Sequence, residues 1–138
     1  MKRTLLSVEK LKAKTNGKEI LKGVNFEIKE GQVQALLGPN ASGKSTFAQT
    51  ILGNPKYKII SGKIFFEGKD ITRVSCQKRA KMGMALAWQA PPPIKGVKLS
   101  SLLEKISRQK VELKEAKNLF EREINVDLSG GEKKISEL

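Results

Sequence analysis

Apolar and polar residues alternate along the first part of the chain. Leu6, Val8 and Leu11 mark residues 5–14, and Val24, Phe26 and Ile28 recur at period two through residues 20–29. Both stretches predict strands with one buried face. The Asn16-Gly17 pair between them is a hairpin turn signal. Glu30-Gly31 predicts the next turn. Residues 33–37 (Val-Gln-Ala-Leu-Leu) are short, apolar and followed by Gly38, which predicts a buried strand. Residues 45–52 predict a helix closed by Gly53. Residues 59–67, with Ile64, Phe65 and Phe66, predict a further strand. A second apolar run, 81–88, is stopped by Pro91, Pro92 and Pro93, which force an extended loop. After Val97 the pattern turns helical. Ser101-Leu102-Leu103-Glu104 has the form of a capping box with Ser101 as N-cap, and Ile106 continues that face. Residues 110–122 place Leu113, Ala116 and Phe120 on one side of a second helix. A β-rich first part therefore gives way to helices after the prolines.

The 138 residues amount to one domain or part of a larger one. Composition, with 38% apolar and 30% charged residues, places the chain among soluble globular proteins rather than disordered ones. No apolar run approaches the roughly 18 residues of a membrane span. Glu9 breaks the first apolar stretch, so no secretory signal is expected. Complete absence of histidine excludes histidine-based triads, metal sites and general bases. The lone Cys76 excludes an internal disulfide and a cysteine-held cluster. It is expected in a short helical turn as a partly buried small residue, and Trp88 is expected in core packing. The 27 basic against 14 acidic residues give a net charge of +13, which suits polyanionic partners or a solvated lysine surface. Aromatics at 5% are thin for stacking single-stranded nucleic acid.

Charge gains a sharper meaning at Gly38-Pro39-Asn40-Ala41-Ser42-Gly43-Lys44-Ser45, which matches G-x-x-x-x-G-K-[ST] between a predicted strand and a predicted helix. Successive backbone N–H groups in such a loop curl around a phosphate, and glycine is needed where side chains would block the approach. The helix beginning near Lys44 adds its positive end. Lys44 is expected to reach the β- and γ-phosphates of a nucleotide, Ser45 to ligate Mg²⁺ and Thr46 to bond the α-phosphate.

Further on stands Leu128-Ser129-Gly130-Gly131-Glu132, a second anion nest that alone is equally a helix-capping turn. Taken in order, residues 38–46, Gln89 and residues 128–132 resemble the Walker A loop, Q-loop and signature motif of the ABC-type ATPases. The resemblance covers essentially the whole chain. It implies an α/β P-loop NTPase fold with an antiparallel β subdomain and a short helical subdomain, divided as residues 1–96 and 97–138. It also implies a head-to-tail dimer of two copies or of paralogues, in which ATP on one Walker A loop is capped by Ser129, Gly130 and Gly131 of the other. Gln89 would contact Mg²⁺ and the attacking water. The run Ser129-Gly130-Gly131-Glu132-Lys133-Lys134 looks like the SufC-type ATPase of iron–sulfur cluster assembly, as do Gly53-Asn54-Pro55-Lys56-Tyr57 and the proline loop after Gln89. That branch implies cytoplasmic work with a SufB/SufD-like scaffold pair, and no DNA partner.

The chain departs from the family at several points. Ala41 stands where glycine is usual, and its methyl disfavours positive φ. No aromatic lies between Lys10 and Ile20 to stack on a base. Gln89 to Leu128 spans 39 positions, so a trimmed helical subdomain is expected. No Walker B strand, catalytic glutamate or switch histidine is present, so an incomplete core, a fragment, at most weak nucleotide binding and essentially no hydrolysis are expected. An open apolar edge at 33–37 is expected for the same reason. An ATP-binding subunit of a membrane transporter with a permease partner is the alternative. A Rad50/SMC-type ATPase would require long coiled-coil heptads between Gln89 and the signature, which are missing. A non-enzymatic basic module would bind DNA in a salt-dependent way without regard to ATP.

Overall fold

The computed structural model describes residues 2–87, 93–106, 122–124 and 126. They fall into two compact units, Met1–Leu86 and Ala87–Leu138. The expected boundary at 96/97 lies inside a strand of the second unit.

In the first unit, β1 (Thr4–Thr15) and β2 (Lys18–Lys29) form a long antiparallel hairpin. Asn16 and Gly17 turn it with φ of 48° and 78°, the doubly left-handed geometry that matches strand twist. After the turn at Glu30-Gly31 come α1 (Lys44–Ile51), β3 (Lys58–Phe66), β4 (Lys69–Asp70) and α2 (Cys76–Lys81). The sheet order is β2-β1-β3-β4, antiparallel throughout. Its inner face supplies Val8, Leu11, Ala13, Leu21 and Ile64, on which Phe47 and Ile51 of α1 pack. Phe26 meets Phe47 edge to face, with ring centroids 5.3 Å apart. Each fully buried aliphatic or aromatic side chain here contributes about 1.5–3 kcal/mol.

A double irregularity sits at mid-sheet. The register of β1 slips between Val8 and Leu11 against β2 and between Glu9 and Lys12 against β3. Lys10 takes φ 45° there, and its N–H donates to Asn25 Oδ1 at 2.8 Å. Gly62 of β3 faces this bulge at φ 93°, so close that a Cβ on it would lie 2.5 Å from the Glu9 carbonyl oxygen. Only glycine fits.

Residues 33–37 depart from expectation. They form no strand, and all five are exposed, with Val33 102% and Leu37 88% accessible. Apolar sequence suits a buried strand, but a strand needs a neighbour to take its N–H and C=O groups. Among the described residues none lies beside this segment. Leu36 instead lines one side of an apolar groove of about 420 Å³, whose walls include Phe26, Phe47, Phe66, Met84 and Leu86. The run after α2 likewise forms no strand, yet Met82, Met84 and Leu86 alternate as half-buried residues.

The second unit contains two strands the pattern did not anticipate. β5 (Ile94–Lys98) pairs antiparallel with β6 (Glu123–Ile124) directly after the prolines. α3 (Leu99–Ile106) follows without a break. Ser101 is therefore not an N-cap but lies inside the first turn. The helix starts earlier because Leu99 is buried with Ile124 and its N–H donates to the Arg122 carbonyl at 3.1 Å. The expected helix at 110–122, Trp88, Gln89 and the signature at 128–132 lie outside the described residues, apart from Arg122.

Candidate nucleotide-binding site

Residues 38–46 form a loop that leaves the extended segment 33–37 and enters α1. Ala41 stands at φ 63° and Gly43 at φ 95°. Ser42 N–H donates to the Pro39 carbonyl at 3.3 Å, which tightens the turn. A Cβ on Gly43 would lie 3.4 Å from both Ile20 Cγ2 and Leu21 Cδ2, so the start of β2 backs the loop. A Cβ on Gly38 would come within 2.9 Å of Ser42 Oγ.

Gly43 is the N-cap of α1 and offers no side-chain oxygen to the helix. Its carbonyl accepts from Phe47 N–H at 2.8 Å, the first bond of the helix. The N–H groups of Lys44, Ser45 and Thr46 thus stand ahead of the ladder, where a helix has no internal partners for them. Lys44 Nζ folds back over the loop and donates to the carbonyls of Gly38 and Pro39, both at 2.7 Å. The Ser45 side chain is exposed in the first turn, with no hydrogen-bond partner among the described residues.

The other end of α1 is fixed by a residue that the sequence reading did not single out. Arg79 of α2 is 1% exposed. Its five N–H directions all end on carbonyls. Nε donates to Val74, Nη1 to Thr50 (3.1 Å) and Ile51, and Nη2 to Ile71 (2.7 Å) and Thr72 (3.1 Å). Burial lowers its pKa from the usual arginine value, while the Thr50 and Ile51 carbonyls give it the negative end of α1 to rest against. The helix terminus itself closes at Gly53, φ 75°, whose N–H donates to Thr50 at 3.0 Å. Only a lone arginine among the lysines of Lys78-Arg79-Ala80-Lys81 hinted at this role. Cys76, on the same helix, is exposed rather than partly buried, because Arg79 alone occupies the buried side of this single turn and a half.

A tight glycine loop and a helix beginning at its lysine give the loop and helix of a P-loop, although the segment before them is not a paired strand. A family model described as "ABC transporter" matches residues 21–138. The chain is 40% identical over 151 residues to an uncharacterized ABC transporter ATP-binding protein of Methanocaldococcus jannaschii, covering 97% of this chain and 60% of that protein. It is 37% identical over 160 residues to a probable ATP-dependent transporter of Synechocystis sp., covering 100% and 62%. Among solved structures, a nucleotide-free ATP-binding cassette from an ABC transporter superposes with TM-score 0.74 at 25% identity, over 97% of this chain and 62% of that one. An ATP-binding cassette solved in its ADP conformation gives 0.70 at 28%, over 97% and 62%. The fold is that of the P-loop ABC ATPases, and the chain belongs to the ABC transporter family. It spans about 60% of the length of the curated relatives it matches.

The described residues bring together Gly38, Pro39, Asn40, Ala41, Ser42, Gly43, Lys44, Ser45 and Thr46. Gln89, Ser129, Gly130 and Gly131 lie outside them. Among the described residues no helix is long and apolar enough to cross a membrane.

Proposed function

We propose that the chain is the ATP-binding part of an ABC-type ATPase and that the loop at 38–46 takes the triphosphate. The carrying observation is the Lys44 ammonium on the Gly38 and Pro39 carbonyls, at the mouth of a loop whose helix N–H groups stand unpaired by the helix. Lys44 holds its charge where phosphate oxygens would arrive and exchanges two carbonyls for them. The N–H groups of residues 43–46 orient the phosphates, and the helix end favours their charge. The donor set also fits Mg²⁺, a hard cation that takes hydroxyl and phosphate oxygens. Ser45 Oγ would hold it, and Gln89 would add a second oxygen. When bound, the ion neutralises charge on the phosphates. Thr46 serves the α-phosphate. Ser129, Gly130 and Gly131 of a second, head-to-tail copy would close the site.

The test is titration with a fluorescent ATP analogue. Binding that is saturable, Mg²⁺-dependent and lost in Lys44→Ala supports the reading. Binding unchanged in Lys44→Ala overturns it.

The finer reading is a SufC-type subunit, cytoplasmic, acting with a SufB/SufD-like scaffold pair. It rests on the Ser129-Gly130-Gly131-Glu132-Lys133-Lys134 run. The relatives' own descriptions as transporter proteins favour a membrane permease as the competing partner. Co-expression with a scaffold pair and, separately, with a permease decides between them. Retention by the scaffold pair supports the first, and retention by the permease alone replaces it.

A further inference from the structure

The outer face of the sheet carries a cluster of four lysines with one carboxylate, Glu19, among them at the Asn16-Gly17 end. The register sets Lys12 of β1 directly opposite Lys22 of β2, and Lys14 of β1 directly opposite Lys58 of β3. Ser61 lies across from Lys12, and Glu19 across from Lys14. All six are exposed, while the opposite face of the same strands holds the buried Leu11, Ala13 and Leu21. The stem of Lys12 lies across β2, its Cε 4.0 Å from where a Cβ of Gly23 would be. None of the four lysines has an ion-pair or hydrogen-bond partner among the described residues.

Directly opposed like charges destabilise a strand pair, and here two such pairs stand side by side. Toward the other end of the sheet acidic and basic residues are more evenly matched than the four lysines and one glutamate of the cluster. Glu9 is opposite Lys63, Thr4 Oγ1 donates to Glu27, and Arg3 pairs with Glu67 at 3.7 Å. The concentration of charge is therefore local and not a consequence of the +13 total alone.

We propose that this face docks an acidic polypeptide segment of a partner protein. The dimensions suit one extended chain. Three strands span about 10 Å, and Lys12 to Lys14 spans about 7 Å along β1, the same two-residue repeat that an extended peptide presents on one side. Carboxylates at alternate positions would each meet two ammonium groups, first Lys12 with Lys22 and then Lys14 with Lys58. Nucleic acid fits less well. None of the six residues is aromatic to stack a base and none is an arginine to fork a phosphate. Lys22 and Glu19 flank Ile20 and Leu21, the residues that back the phosphate loop at Gly43, but the docking of an acidic segment does not rest on the function proposed above.

The probe is a fluorescein-labelled peptide of alternating Ser and Glu, twelve residues long, followed by anisotropy against the full chain. The expected result is saturable binding that weakens about tenfold from low to moderate salt, as exposed charge pairs are screened. The double variant Lys22→Glu/Lys58→Glu turns both opposed lysine pairs into ion pairs, so it raises Tm while losing at least about tenfold in peptide affinity. Lys12→Gln/Lys14→Gln loses affinity similarly with Tm unchanged or higher, and Lys95→Glu on β5 changes neither. Peptide binding that survives both double variants overturns the proposal. So does affinity loss that follows a fall in Tm in both. A single-stranded twelve-nucleotide probe that binds more tightly than the peptide at equal salt, and is lost in the same variants, replaces it with a nucleic-acid surface.

Discussion

The Nζ of Lys44 lies 2.7 Å from the carbonyl oxygen of Gly38, the residue that opens its own loop. The ammonium thus satisfies itself on the backbone it guards. These bonds are solvent-exposed, so they add little to stability, whereas a charged hydrogen bond to phosphate contributes about 1.5–3 kcal/mol. Lys44→Ala should therefore weaken binding of an ATP analogue by at least about tenfold and leave Tm within a degree or two. A comparable affinity in the variant would show that Lys44 stays on its carbonyls when nucleotide binds.

Ala41 occupies φ 63°, a conformation that costs an L-residue roughly 1 kcal/mol or more and glycine almost nothing. Ala41→Gly relieves this strain, partly offset by a more flexible unfolded chain. The net expectation is a slightly higher Tm and nucleotide binding about two- to fivefold tighter, read by thermal melts and titration. A lower Tm with weaker binding would mean that the methyl group is held by contacts worth more than the strain.

Arg79 anchors the far end of the same helix. Arg79→Ala would leave the carbonyls of Ile51, Thr72 and Val74 without the guanidinium donors, while those of Thr50 and Ile71 keep the Gly53 and Val74 N–H groups. Each buried acceptor left unmade costs about 1–3 kcal/mol, so denaturant melts should show a loss of about 3 kcal/mol or more. Arg79→Lys should recover only a minor share, because one ammonium has three donors and no fork. Full recovery by lysine would show that charge at the helix end matters and the fork does not.

Gly62→Ala combines a left-handed φ of 93° with a Cβ 2.5 Å from the Glu9 carbonyl. Strain of about 1 kcal/mol adds to overpacking of about 1–3 kcal/mol. A loss of about 2–4 kcal/mol is expected in chemical denaturation. A near-neutral variant would mean that the bulge at Lys10 can slide.

Local chemistry made much of this fold legible. Asn16-Gly17 fixed the hairpin because its turn admits few other residues. The G-x-x-x-x-G-K-[ST] run placed the loop and the start of α1 to within one residue. Burial that depends on distant neighbours was not legible. Val33, Leu36 and Leu37 are as apolar as Val8, Leu11 and Leu21, yet only the latter have strands beside them. Arg79 escaped notice because its partners are backbone carbonyls, which no residue pattern announces. Ser101 misled because a serine before an apolar run caps a helix only when no upstream packing draws the start earlier, as Leu99 does here.

The exposed segment at 33–37 is also a built-in clock. Its amide hydrogens have no partners among the described residues, so in heavy water they should exchange at the rate of a short free peptide, while those of Val8 and Leu11 wait for global opening. Slowing at residues 33–37 alone would then report, without any label, the moment another polypeptide strand settles alongside.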